Sequence, residues 1–292
     1  MNPHFSSPFN FGALPGELCD YKKSKVVVLP VPYDATASYR SGARNGPAAI
    51  ISASMALEMY DEDSGKDFSE LGICTLDELD IVVDPEAMAN RVYEAVQQLA
   101  RDDKFVVMLG GEHSLSFGAA KAFREKYPDL SVLHIDAHAD MRDEHNGEKF
   151  SHACVARRIS EICPVVQVGI RSLCQEEAEF IAKSGHKVVY AREIAESMDD
   201  SWMDAAISSL SKDVYVTFDL DSLDNGIMPS VGNPEPGGLE WYPVLSFLKR
   251  LSGKRNVVGF DSMELSPIPG NIAPDFAAAK LVYKLIGYFC RQ

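Results

Sequence analysis

Seven short apolar, β-branched runs recur along this chain: KVVVLPV at 25–31, KFVVML at 104–109, SVLHI at 131–135, VVQVGI at 165–170, KVVY at 187–190, DVYVTF at 213–218 and NVVGF at 256–260. Each is too short for a helix and too evenly apolar for a strand with one wet face, so the runs read as strands buried on both sides. Amphipathic stretches lie between them. Asp84 and Pro85 open one whose Met88, Val92, Val96 and Leu99 share a helical face, and Pro274 with Asp275 opens another carrying Ala278, Val282, Leu285 and Phe289. Strand and helix in alternation predict parallel βα units in a single α/β domain, spanning 25–292. Such sheets take their ligands beyond the carboxyl ends of the strands. The first 24 residues, rich in Pro, Ser, Phe and Asn, are expected to form an arm that packs on the domain or on a neighbouring subunit. The acidic, Gly-interrupted DEDSGKDFSE at 61–70 reads as a solvated loop.

Composition narrows the function classes. The 292 residues are 46% apolar and 24% charged, ordinary for a soluble globular protein. No run of 18 apolar residues occurs, and the start lacks a basic leader, so no membrane span is expected and the cytoplasm is the default location. Cys19, Cys74, Cys154, Cys163, Cys174 and Cys290 form no C-x-x-C pair, which argues for free, buried thiols rather than a zinc ribbon or a redox motif. With 28 basic against 43 acidic side chains the net charge is −15, which repels nucleic acid and anionic membrane and attracts small cations.

The densest chemistry lies at strand ends. SVLHI runs into Asp136, His138 and Asp140; DVYVTF runs into Asp219 and Asp221; the GGEHS turn after KFVVML offers His113. If the chain stays extended, two-residue spacing throws each set to one side. A single Asp at a strand end is usually a cap or turn former, but six ligand-type residues in such places are the composition of a two-metal site. Oxygen donors predominate and no thiolate is present, which favours a hard divalent ion such as manganese over zinc. Two such cations would balance four aspartates and suit a cationic electrophile. His134 is assigned to the core or to an orienting role behind a ligand, and His145 to a solvated loop, while His4 and His186 carry no signal. A serine hydrolase would want a G-x-S-x-G elbow, which neither Ser114 nor Ser116 occupies, and no G-x-G-x-x-G follows a strand.

SYRSGARNGP at 38–47, GGEHS at 110–114, DAHAD at 136–140, SHACVARR at 151–158, DLDSLD at 219–224, PEPGGL at 234–239 and GFDSMELSP at 259–267, in this order, resemble the arginase, agmatinase and formiminoglutamase group of ureohydrolases. The short link between DAHAD and SHA, and the ending NIAPDFAAAKLVYKLIGY, look most like agmatinases. The resemblance implies a three-layer αβα fold around a mostly parallel sheet of roughly eight strands. It implies two manganese ions, one held by His113, Asp136, Asp140 and Asp219, the other by Asp136, His138, Asp219 and Asp221. It makes a metal-activated water the nucleophile, oriented by Asp140, with His152 relaying protons and Glu264 gripping the guanidinium. Homotrimers or homohexamers are expected.

Asn225, Ser230, Val231 and Asn233 depart from the family's usual residues before PEPGGL, and Ala139 replaces a frequent Thr; none removes a ligand, and the loop changes bear on substrate choice. Asp143, Glu144 and Glu148 suggest a mildly acidic mouth for an amine tail, which leans toward agmatine, yielding putrescine and urea. N1-aminopropylagmatine is the alternative within the family. A zinc deacetylase of related fold would need fewer carboxylates, and an inactive scaffolding homologue would tend to lose ligands.

Overall fold

The computed structural model describes residues 9–290, so His4 and the start of the arm lie outside it. The first half of the chain folds as β1 (Val26–Val31), α1 (Gly46–Ser54), β2 (Tyr60–Asp61), β3 (Lys66–Asp67), β4 (Ile73–Thr75), α2 (Pro85–Arg101), β5 (Phe105–Gly110), α3 (Ser116–Lys126) and β6 (Ser131–Ile135). The second half adds α4 (Val155–Ser160), β7 (Val165–Ile170), α5 (Gln175–Ser184), β8 (Lys187–Tyr190), α6 (Ala191–Glu196), α7 (Ser201–Ser208), β9 (Asp213–Asp219), α8 (Trp241–Lys254), β10 (Asn256–Met263) and α9 (Ala273–Phe289).

Eight strands make one sheet in the order β4-β1-β5-β10-β9-β6-β7-β8, every neighbouring pair parallel. All seven apolar runs are strands of it. Successive side chains face opposite ways, so each run feeds two layers. Val26, Val28, Val107 and Leu133 pack with Ile50 of α1, Leu248 of α8 and Val282 of α9. Val27, Leu29, Val106 and Val132 pack with Val92 of α2, Phe123 of α3 and Ile159 of α4. The expected three-layer αβα architecture follows from that alternation.

Helix α2 starts where its capping signal stands: Asp84 accepts a hydrogen bond from the Ala87 amide at 2.8 Å, and Pro85 occupies the first turn. Met88, Val92 and Val96 are fully buried, each contributing about 1.5–3 kcal/mol of apolar burial. Edge strand β4 was not foreseen, because three residues are too few to show a period.

The acidic stretch at 61–70 is solvated only at its tip: residues 62–66 are exposed, while its ends pair as the antiparallel β2–β3 ribbon, with Asp61 wholly buried and bonded to Lys284 Nζ of α9 at 2.6 Å. A cation more than 220 residues away supplies the partner, which local composition cannot reveal.

Phe11 and Leu14 are buried in the same layer as α1, and the Phe11 and Gly12 amides donate to Thr75 Oγ1 and Ser54 Oγ, both at 2.9 Å. This stretch packs on the chain's own domain. No helix among the described residues is long and apolar enough to cross a membrane. The six cysteines are free, and burial, with Asp140 nearby, pushes the Cys154 thiol up to about 12, an unreactive state.

Strands β5, β10, β9 and β6 are consecutive neighbours in the sheet. Their carboxyl ends therefore deliver His113, Glu264, Asp219 and Asp136 to one edge.

Candidate active site

His113 is placed by a close approach of backbone. A Cβ on Gly111 would stand 1.8 Å from the Tyr33 carbonyl oxygen, so only glycine fits here. The Gly111 amide donates to Val31 and the Glu112 amide to Tyr33, which turns the chain and carries the imidazole inward. His113 Nε2 lies 2.7 Å from Thr217 Oγ1, whose own proton goes to Ser116 Oγ at 3.0 Å. Thr217 must then accept from Nε2–H, which leaves Nδ1 with its lone pair. That nitrogen faces Asp136 Oδ2 at 2.9 Å, Asp219 Oδ2 at 3.1 Å and Asp140 Oδ2 at 3.6 Å.

The aspartates are gathered by turns and not by the strand pleat, which corrects the sequence argument. Strand β6 stops at Ile135, and Asp140 has a left-handed φ of 51°. Instead Asp136 Oδ1 accepts from the His138 amide at 2.6 Å, and Asp219 Oδ1 accepts from the Asp221 amide at 2.8 Å. One oxygen of each carboxylate thus bends its own backbone, and the other faces the cluster. The Ala137 amide donates to Asp221 Oδ1 at 3.1 Å and ties the two turns together. Beside them His138 Nδ1 sits 2.9 Å from Asp221 Oδ2 and 3.6 Å from Asp136 Oδ1.

All six residues of the expected ligand set are therefore brought together, and their chemistry fits divalent metal. Donor atoms of His113, His134, Asp136 and Asp140 lie within 4.8 Å of one another, as do those of Asp136, His138 and Asp221, so two groups share Asp136; Asp219 falls in neither and joins the cluster through its 3.1 Å approach to His113 Nδ1. His113 Nδ1 and Asp136 Oδ2 are buried without a hydrogen-bond partner despite their proximity. Burial and the charges of Asp136 and Asp221 push Asp219 well above the usual carboxylate range, and burial with Asp136 does the same to Asp140. Burial alone would raise Asp136 too, but His134, His113 and His138 hold it well below. Converging lone pairs and crowded carboxylates are the two defects that bound cations remove. His134 has its Nδ1 3.0 Å from Gln167 Nε2, which leaves the ring proton on Nε2, facing Asp136 Oδ2 at 3.0 Å. The two atoms are close but Nε2, like Asp136 Oδ2, has no hydrogen-bond partner, so His134 stands behind the cluster without being bonded to it.

The cluster forms the floor of a cavity of about 230 Å³ whose walls include Ser38, Arg40, His145, His152, Asn233 and Glu264. Glu264 accepts from the His113 amide at 2.7 Å and has a left-handed φ of 67°. Burial, then the nearby Glu112, raises its carboxyl to about 8. His152 is buried, and its imidazole is lowered to about 4, by burial first and then by His145, His138 and His113. It is neutral near pH 7.

Some placements were not anticipated. His145 is half-exposed on its loop as expected but also lines the cavity, its ring edge-on to His152 at 5.8 Å between centroids. Arg142 lines the cavity while Asp143 is held by Arg158 at 2.6 Å, so the acidic mouth does not form as expected. Glu148 instead lines an adjoining cavity that shares Ala37 and His145 with the first. Ser230 and Val231 pair with Ser266 and Leu265, bracing the segment after Glu264, and Asn225 Oδ1 is buried unpartnered. Arg171 uses its guanidinium on the carbonyls of Gly169, Asp221, Ser222, Glu235 and Pro236. Ser172, the next residue, holds Glu235, whose Oε1 lies 3.9 Å from His138 Nε2. Asp261 is buried behind the floor, accepting from Tyr215 and the Phe218 amide.

The chain has relatives of known name. The chain is 42% identical over 281 residues to the N(1)-aminopropylagmatine ureohydrolase of Synechocystis, covering 93% of this chain and 91% of that protein. It is 36% identical to the agmatinase of Pyrococcus horikoshii, with coverage of 93% and 94%. The crystal structure of agmatine ureohydrolase of Thermoplasma volcanium superposes with a TM-score of 0.88 at 33% identity, covering 97% of this chain and 95% of that one. Residues 24–287 match the arginase family as a whole. A sheet with four aspartates and two histidines at one edge, joined to likeness over nine-tenths of its length, places this chain in the arginase family.

Proposed function

We propose that the protein hydrolyses the guanidino group of a linear, cationic guanidino amine and releases urea, with N1-aminopropylagmatine ahead of agmatine. One observation carries the reading: the cluster of four aspartates and two histidines opens into a cavity whose wall holds the Glu264 carboxylate. The order of substrates reverses the sequence-based expectation. Relatives at 42% and 40% identity bear the aminopropylagmatine name, and the adjoining cavity offers room and a carboxylate, Glu148, to a longer amine tail. For that substrate the products are spermidine and urea; for agmatine they are putrescine and urea.

In this reading His113, Asp136, Asp140 and Asp219 would hold one divalent cation, and Asp136, His138, Asp219 and Asp221 the other. Manganese suits a set of four carboxylates and two imidazoles. Such a pair supplies Lewis acidity that brings the ionisation of water toward neutral pH. Glu264, anchored by the His113 amide, uses its remaining acceptor capacity to orient the guanidinium, whose charge would in turn keep the carboxylate ionised. Asp140 accepts a hydrogen bond from the attacking water. His152 starts neutral, so it takes up a proton and passes it to the departing amine, which leaves poorly unless protonated. A cytoplasmic homotrimer or homohexamer belongs to the same proposal.

Urea release by manganese-loaded protein tests it, with aminopropylagmatine, agmatine, arginine and guanidinobutyrate as a panel. The highest kcat/KM is expected for aminopropylagmatine. Best turnover of agmatine would restore the earlier order, and no urea from any of the four would overturn the assignment.

A further inference from the structure

His152 does not meet the cavity unaided. Its Nδ1 lies 3.1 Å from Thr36 Oγ1, and its backbone amide donates to the same oxygen at 3.0 Å. Thr36 is itself clamped by the fully buried Glu112: its amide reaches Glu112 Oε2 at 2.6 Å and its hydroxyl reaches Oε1 at 2.6 Å. Ser114 Oγ donates to Oε1 as well, at 2.7 Å.

Counting protons settles the direction. A threonine hydroxyl has one hydrogen and two lone pairs. The Thr36 hydroxyl donates to Glu112 Oε1 at 2.6 Å, beside the Ser114 hydroxyl on the same oxygen and the Thr36 amide on Oε2, so the Thr36 proton goes to Glu112; these bonds oppose the burial that raises its carboxyl. Both lone pairs then face donors. One takes the His152 amide; the other faces Nδ1 at 3.1 Å and is met only by an N–H there, which places the ring proton on Nδ1, where the Ser151 hydroxyl at 3.3 Å can accept from it too. Nε2 is left with its lone pair, 3.2 Å from the exposed Ser38 hydroxyl at the cavity wall. A neutral imidazole can receive a proton only at its bare nitrogen, so the tautomer decides which way His152 works.

We propose that Thr36, held by Glu112, is the positioning residue that fixes His152 as the Nδ1–H tautomer and turns its basic Nε2 toward the substrate cavity. The idea rests on the proton-carrying role assigned to His152 above. It extends that role: when Nε2 takes a proton, the Nδ1–H bond to Thr36, whose hydroxyl is itself held by Glu112, keeps the ring in the same orientation. The logic is that of an orienting acid behind a histidine, with a hydroxyl interposed.

Two readouts test it. Long-range 1H–15N spectra of zinc-loaded, 15N-histidine-labelled protein report the tautomer directly, the His152 signals being those lost in His152→Gln. The proton is expected on Nδ1 in the parent and in Thr36→Ser, and a mixture of tautomers in Thr36→Val. With manganese, Thr36→Val is expected to lower kcat for urea release roughly 10- to 100-fold, with KM within about twofold and metal content unchanged; Thr36→Ser recovers most of the loss. A parent proton on Nε2 overturns the proposal even if the valine variant fails to fold. So does a folded Thr36→Val with the parent's tautomer and turnover. If the parent releases no urea from any guanidino amine, the functional reading fails, while the spectra still decide the tautomer.

Discussion

Two residues of the proposed site, Asp140 and Glu264, hold left-handed backbone that side chains other than glycine rarely adopt. Such conformations cost of order 1–3 kcal/mol each and persist where surrounding contacts over-determine them. Here the Glu264 amide is tied to Gly111, and the Asp140 carbonyl receives the Arg157 amide. In the proposed mechanism His152 is the residue whose removal would separate chemistry from metal binding. It touches Thr36, Ser38 and Ser151 but bonds to no member of the aspartate cluster. His152→Ala is therefore expected to retain its metal while turnover falls roughly 10²- to 10⁴-fold. Metal analysis beside a urea assay checks this, and loss of metal in the variant would reassign the residue. The cluster itself was legible because Asp and His are rarely strung at strand ends without a ligand to hold. Thr36, Glu112 and His145 were not, since a hydroxyl or a loop imidazole gains meaning only from the partner that folding brings.

At the scale of elements, the seven apolar runs announced themselves by β-branched composition, including the half-exposed edge strand β8, and α2 and α9 by Pro and Asp at their starts. What escaped was either too short, as β4, or dependent on a remote partner, as β2 and β3. The Arg171 clasp belongs to the second kind. It joins the end of β7 to the Asp221 turn and the PEPGGL loop through five carbonyls, using every N–H of the guanidinium. Lysine keeps the charge but has three donors and no fork. Arg171→Lys should lose at least two of these bonds, about 1–3 kcal/mol in all, and loosen the side of the cluster formed by His138 and Asp221. Denaturant melts and manganese stoichiometry would show it, with fewer than two ions bound per chain. Parent-like values in both would mean the clasp is idle.

Across the whole molecule, one buried ion pair fastens the β2–β3 ribbon to α9. Burial alone would raise Asp61, yet Lys284 and Ser64 outweigh it and hold the carboxyl below its ordinary 3.8. Burial would likewise lower Lys284, but Asp61 and Glu62 carry it above its ordinary 10.5. A depressed acid stabilises the fold above its unfolded value and loses that contribution as pH falls through the folded one. A raised base stabilises below its unfolded value and loses the contribution only as pH rises through the folded one. The pair therefore acts fully between about 3.8 and 10.5. Lys284→Met, which strands the carboxylate, is expected to cost about 3–5 kcal/mol in denaturant unfolding near pH 7, and Asp61→Asn added to it should recover part. A single variant as stable as the parent would refute the pairing. The partners are 223 residues apart. A ribosome makes the ribbon long before it makes the helix that neutralises it, so until α9 arrives that carboxylate stays hydrated and the part of the layer that α9 covers, beside α1 and α8, stays open. Apolar surface that waits for a distant partner is where a partly made chain is prone to association, and α9 is the element that covers it here.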